Sequence, residues 1–399
     1  MTKINRLHIF ALGAHGSGIS GGDRIFIELA RRWSEKFPID IYLWKQGLQM
    51  CKSQNLSGKH LTFKQTKISE WSENIFLINY LLRIFEGVRL GLTLNFENKP
   101  TTFVYNASEF WMDSFPCAIL KIRFPKIKWI ATWYQTAPNP LRGFKESGVR
   151  DESYKLSALL YWLAQLPIKP LITKFADKVI VNNDDEKKRF PEHTKNGDTI
   201  VMIGAVPLKS INEWVRKTPN VKNEYDAVFQ GRFHPQKGVL ELIDIWKLVV
   251  KNKPDANLAM IGDGPLMYDV RSRIKDVGLE KNIKLFGYVF DGDQKYKIFS
   301  SSRVVVHPAF YDSGGMASAE AMAFGLPCVG FDLKAYESYY PKGMVKVPIG
   351  NKEEFAEKVI MLLNDKKYYD KISKDAIGMI LKNWSWETRA NEILNQITI

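Results

Sequence analysis

The strongest constraint on this chain is an alternation that occurs twice. Short apolar, β-branched runs give way to loops and then to helical patterns, in two series that part near residue 207. Strands alternating with helices make parallel sheets covered by helices, a doubly wound α/β architecture. In the first series Leu7–Leu12 runs into a glycine-rich loop, Gly13 to Gly22, and then a helix from about Asp23 to Phe37. Ile25, Phe26, Leu29 and Trp33 recur there at helical spacing. Further strands are expected at Ile39–Trp44, Phe103–Asn106, Trp129–Thr132, Ala176–Asn182 and Thr199–Ile203, with a helix over Trp71–Leu94. Lys45–Lys67 holds five lysines and no acid and reads as basic surface. Pro207–Glu224 is polar, carries Pro219 and reads as a linker. The second series places strands at Tyr225–Gln230, Asn257–Ile261, Ile283–Phe286, Arg303–His307, Cys328–Phe331 and Met344–Val347.

A length of 399 residues supports two domains. Cys51, Cys117 and Cys328 are scattered without paired spacing, which argues for a reducing compartment and against a disulfide framework or zinc site. The first apolar run is too short for a secretory leader, and no apolar run is long enough to span a bilayer. The net charge of +14 is uneven. Residues 1–207 hold 29 Lys/Arg against 19 Asp/Glu, a net of +10; the remainder holds 28 against 24, a net of +4. A basic first half suits an anionic partner such as a membrane face, a lipid-linked phosphate or nucleic acid, unless it reflects general basicity. Nucleic acid is set aside, because the aromatic residues there form no interleaved stacking motif. Tyr154–Thr173 is apolar, carries Tyr and Trp, and is broken at Pro167 and Pro170. A buried helix is expected there, with an interfacial helix as the alternative.

The chemistry concentrates in His307–Phe331. A strand ends at Pro308, the loop Tyr311 to Gly315 follows, and a helix runs from about Met316 to Phe324 before Gly325 and Pro327. The first amides of that helix, at Gly315, Met316 and Ala317, would attract phosphate oxygens. Gly314 and Gly315 admit close backbone approach. Asp312 and Glu320, eight residues apart, suit sugar hydroxyls better than phosphate. The same letters also fit an ordinary strand–loop–helix unit with a capping acid. A second cluster, Gln230 to Gly238, sets Arg232 and Lys237 five apart just beyond a strand. A planar fork and a point charge at the carboxyl end of a sheet suit a diphosphate. No Asp or His spacing offers a chelating set, so no metal is expected.

Asp312, Gly315, Glu320, Ala321, Gly325, Pro327 and Val329, together with the Gly231-Arg232…Lys237-Gly238 pattern, resemble the retaining glycosyltransferases of the GT-B fold, especially glycosyltransferase family 4. Asp312 stands where that family has Glu, Trp133 where it has a His, and Gly204-Ala205 where it has Asn-Gly. The resemblance implies two Rossmann-like domains facing a cleft. These are an acceptor domain over 1–207, a donor domain over 208–380, and a terminal segment 381–399 whose helix packs back on the first. It implies that Arg232 and Lys237 bind the donor diphosphate, Asp312 holds the sugar, and Glu320 binds the ribose. It places the base at Gly287 and Tyr288, and the acceptor side of the cleft at Gly16, Ser17, Gly21, Gly22 and Trp133. The implied function is transfer of a hexose, with retention, from a UDP-, GDP- or ADP-sugar to a glycan or lipid-linked acceptor. Neither metal nor cofactor is implied, and the expected place is the cytoplasm, peripheral to an anionic membrane. The alternative is a sugar-nucleotide epimerase or phosphorylase-like enzyme on the same fold.

Overall fold

The computed structural model describes residues 3–15, 19–68, 72–73, 75–141, 155–219 and 221–399. The chain divides into two compact units. Unit 1 takes residues 1–137, 159–202 and 386–399, and unit 2 takes 138–158 and 203–385. The chain therefore changes unit after Ala137, Ala158, Met202 and Ser385.

Unit 1 carries strands β1 (Arg6–Phe10), β2 (Ile39–Leu43), β3 (Leu61–Gln65), β4 (Thr102–Asn106), β5 (Lys128–Trp133), β6 (Lys178–Val181) and β7 (Thr199–Val201). They form one parallel sheet in the order β3-β2-β1-β4-β5-β6-β7. Between them run α1 (Gly21–Trp33), α2 (Lys45–Ser53), α3 (Phe76–Thr93), α4 (Trp111–Arg123), α5 (Lys155–Gln165, whose residues 155–158 fall in unit 2), α6 (Ile168–Phe175), α7 (Asp184–Lys187) and α8 (Pro191–Lys195). Right-handed crossovers fix the layers. The chain steps one way through α1 and α2, then back and onward through α3, α4 and α6, so these last three share the opposite face of the sheet.

Unit 2 begins with α9 (Leu208–Lys217). It continues through β8 (Tyr225–Gln230), α10 (Val239–Asn252), β9 (Leu258–Ile261), α11 (Met267–Asp276), β10 (Ile283–Gly287), α12 (Asp293–Ser300) and β11 (Ser302–His307). Then come α13 (Met316–Met322), β12 (Cys328–Phe331), α14 (Ala335–Tyr339), β13 (Met344–Val347), α15 (Lys352–Asn364) and α16 (Lys366–Asn383). Its parallel sheet runs β10-β9-β8-β11-β12-β13. The terminal helix α17 (Trp386–Ile397) belongs to unit 1. Trp33 donates its indole N–H to the Ala390 carbonyl at 2.9 Å, Arg32 pairs with Glu387 at 2.7 Å, and Lys36 reaches Asn391 at 2.7 Å.

Several expectations fail, each for a physical reason. The stretch expected to be a linker contains α9, whose Leu208, Ile211 and Trp214 are buried at helical spacing. Trp214 meets Tyr296 and Phe324 edge-on, so its polar face misled and its apolar face decided. The lysine-rich stretch contains α2 and the edge strand β3, which its neighbour β2 templates. Helix α4 was not anticipated, because Pro116 lies within it. Proline removes one helical N–H bond, here to the Met112 carbonyl. Glycine at position 87 keeps the facing helix α3 close, since a Cβ there would stand 2.5 Å from that carbonyl. The segment expected to be a buried helix becomes α5 and α6, and α5 turns Leu160 and Leu163 outward. Helix α13 ends at Met322, short of Phe324.

Candidate active site

In each sheet the chain reverses its direction of winding at one place, and there the carboxyl ends of two neighbouring strands open a crevice. In unit 2 that place lies between β8 and β11. The loops beyond them carry the two motifs of the sequence, and the fold ties those loops together. Gln236 accepts from the amides of Phe310 and Tyr311 at 2.8 and 3.2 Å. Gly238 is left-handed at φ 63°, and a Cβ there would stand 2.0 Å from the Pro308 carbonyl oxygen. Only glycine fits this double demand.

Lys237 therefore projects toward the second loop, and its ammonium meets Asp312 Oδ2 at 2.5 Å. The same oxygen accepts from His307 Nε2 at 3.1 Å and from the Tyr336 hydroxyl at 3.3 Å. Asp312 Oδ1 accepts from the amides of Gly314 and Gly315 at 3.3 and 3.2 Å. Burial opposes the charge of Asp312, but Lys237 and then His307 outweigh it and hold the carboxyl well below the usual range. Burial likewise lowers His307, against the pull of Asp312. Five donors on one carboxylate saturate its acceptor sites. The sugar-holding task that the resemblance gives Asp312 is thus not what its oxygens do here. They fix Lys237 and the turn instead.

The turn is built around glycine. Gly315 has φ 62°, and its carbonyl accepts from the Tyr340 hydroxyl at 2.5 Å. A Cβ on Gly314 would lie 2.1 Å from the Tyr339 ring. The Gly315 amide is taken by Asp312, which corrects the expected trio of phosphate donors. Among the described residues no hydrogen bond is made by the amides of Met316 and Ala317, as expected for a helix start. The Met316 side chain lies against Gly204, where a Cβ would come within 2.2 Å of it.

Glu320 is buried on α13, and Lys295 of α12 meets its Oε2 at 2.6 Å. Lys295 is itself buried and also bonds Asp291. The sequence reading missed Lys295, His307 and Tyr336. Only His307, at a strand end five residues before an acid, carried any signal. Arg232 is exposed, and among the described residues its guanidinium has no ion-pair partner. Gly287 closes β10 with φ 68°. Tyr288 beyond it is 38% exposed and sets its ring edge-on to Phe290 at 4.9 Å.

Unit 1 treats its candidates less evenly. Gly16 and Ser17 lie outside the described residues. Gly21 and Gly22 open α1, capped by Ser20 and Asp23, and a Cβ on Gly22 would press tightly on the Tyr134 ring at 3.1 Å. Trp133 is buried in the core, edge-on to Phe190, so it offers no platform to a ligand. Tyr134 instead lies at this edge, its hydroxyl 2.6 Å from that of Tyr105. Two unforeseen acids stand nearby. Glu109 accepts from the Tyr161 hydroxyl at 2.6 Å, and Asp113 from the Gly13 amide at 2.9 Å and Ser108 at 2.5 Å. Burial pushes Asp113 up to about 7 and also raises Glu109.

Residues 210–379 match the glycosyl transferases group 1 family. The matched stretch holds Arg232, Lys237, Gly287, Tyr288, Asp312 and Glu320. Poly(glycerol-phosphate) alpha-glucosyltransferase of Bacillus subtilis (strain 168) is 24% identical over 225 residues, 53% of this chain and 32% of that protein. Poly(ribitol-phosphate) alpha-N-acetylglucosaminyltransferase of Staphylococcus aureus (strain COL) is 26% identical over 172 residues, 41% of this chain and 34% of that protein. The matched stretch is thus about a third of the length of these two curated relatives. The structure of HepE (Alr3699) from Anabaena with UDP-glucose superposes with a TM-score of 0.71 at 14% identity, covering 98% of this chain and 99% of that one. This whole-chain likeness shows the fold, GT-B.

Proposed function

We propose that unit 2 grips a nucleoside-diphosphate sugar, and that the chain transfers its hexose, with retention and without a metal, to a glycan or lipid-linked acceptor. The observation that carries this reading is the Lys237 ammonium, held at the switch point by Asp312, with Arg232 on the same loop and two unbonded amides at the start of α13. HepE holds UDP-glucose, and two relatives are named for polyol-phosphate polymers; these names support a UDP-sugar and a polymeric acceptor.

Charge develops on the diphosphate as the glycosidic bond breaks. Lys237 turns from Asp312 toward it, and Arg232 adds a forked contact. Asp312 stays ionised meanwhile, because His307, Tyr336 and the two glycine amides remain in place. It is a positioning residue for Lys237. Glu320, oriented by Lys295, accepts from the ribose hydroxyls, and Tyr288 with Phe290 faces the base. Contact with an anionic membrane on the cytoplasmic side belongs to the same reading.

Thermal-shift measurements with UDP-, GDP- and ADP-glucose test it. One nucleotide should stabilise the protein, and Arg232→Ala should weaken that ligand by about tenfold or more, the loss expected for hydrogen bonds to a charged group. Stabilisation unchanged by Arg232→Ala removes the assigned role. UDP released in step with added acceptor separates transfer from epimerisation.

A further inference from the structure

The geometry points to the outer face of α3, α4 and α5 in unit 1 as a membrane-docking surface, lying flat on an anionic bilayer. It gives the membrane contact of the proposed function a defined location and does not depend on the donor site. Of twenty large apolar residues exposed among the described residues, eleven lie on or beside the parts of these helices in unit 1. On α3, Leu77, Leu81, Phe85 and Leu92 are 65, 53, 68 and 58% exposed. Their steps of four, four and seven put them on one stripe. The opposite side of α3 is also apolar, and Tyr80 and Ile84 pack on the sheet's core with residues of α4 and α6. This helix therefore has a second apolar face with nothing described against it. On α5, Leu160 and Trp162 are 57 and 38% exposed. A monomer that meets only water seldom exposes so many large apolar side chains on neighbouring stretches of its helices.

Charge selects the occupant. The acid within α3, Glu86, is buried and bonded to Arg89, and α5 and α6 contain no acid. Lys169 and Lys174 of α6 are exposed. The half of the chain that bears this face has a net charge of +10. A second copy would bring the same sign and be repelled, whereas anionic head groups complement it. Among the described residues no helix is long and apolar enough to cross a bilayer, so the contact is interfacial. Tyr161 of α5 bonds Glu109 and the Gln135 carbonyl at the carboxyl edge of β4 and β5. Docking would thus hold that edge close to the lipid surface, where the head group of a lipid-linked acceptor lies.

Flotation with phosphatidylglycerol vesicles, against phosphatidylcholine vesicles, tests this directly. The protein should float with the first, lose that binding at high salt, and ignore the second. Leu81→Glu with Leu160→Glu should lower the bound fraction about tenfold or more. Lys169→Glu with Lys174→Glu should do the same through charge alone. Neither pair should move the unliganded melting temperature or the shift given by UDP-glucose. A missing UDP-glucose shift with intact flotation would count against the donor reading and leave this one standing. The inference is overturned if phosphatidylglycerol vesicles are not bound, or if both pairs float like the parent. A solution dimer dissolved by the leucine pair would overturn it in favour of a second copy.

Discussion

Unit 1 and unit 2 wind their first six strands in the same order, and each buries an aspartate just beyond the fourth strand, beside its switch point. Asp113 and Asp312 are nevertheless opposites. Burial raises Asp113 to about 7, because its close partners are a hydroxyl and an amide and Arg83 acts only weakly. Burial acts on Asp312 in the same direction, but Lys237 and His307 reverse the outcome. Fold and depth are shared, and the facing cation decides the charge. A buried carboxylate with a cation can organise a polyanion site; one without a cation is half-protonated near neutral pH.

The largest expected effect tests the unpaired acid. A folded-state value above the ordinary 3.8 stabilises fully below about pH 4, and that contribution is lost as pH rises through about 7. Asp113→Asn keeps the polar contacts without the charge. It should raise stability relative to the parent by up to about 4 kcal/mol at pH 8, at roughly 1.4 kcal/mol per unit of displacement, and the gap should close by pH 4. Urea denaturation across that range measures it; a gap independent of pH would remove the contrast. Lys237→Met acts on the other unit. Leaving Asp312 without its nearest cation should cost about 3 kcal/mol and give unit 2 a pH dependence of the same sense as Asp113. Gly314→Ala drives a methyl against the Tyr339 ring and should cost about 2 kcal/mol by overpacking, read in the same denaturation experiment. Arg232→Ala should change stability by less than about 0.5 kcal/mol, since nothing described pairs with it, while nucleotide binding falls. That last pairing separates a ligand-facing cation from Lys237, which serves both fold and site.

The candidate site was legible where chemistry is local. A strand end, a glycine pair and an acid eight residues before another acid announce the Gly314–Glu320 turn by letters alone, and Arg232 and Lys237 announce themselves on a single short loop. Lys295 was not legible, because its partner Glu320 lies 25 residues away and only the packing of α12 on the sheet brings them together. Trp133 and Tyr134 show the same limit. Adjacent residues at a strand end point to opposite faces, and the sequence did not say which faces the core.

The amino-acid order alone determined two parallel sheets, the side of each sheet that bears the loops, and the residue types available there. Those follow from periodicity and from backbone rules acting over a few residues. Tertiary structure decided what each group is attached to: that Asp312 spends its oxygens on Lys237, His307 and Tyr336, that α9 is core, and that α3 and α5 turn leucines outward. Burial and pairing depend on atoms brought together from distant parts of the chain, and no local pattern encodes their separation in space.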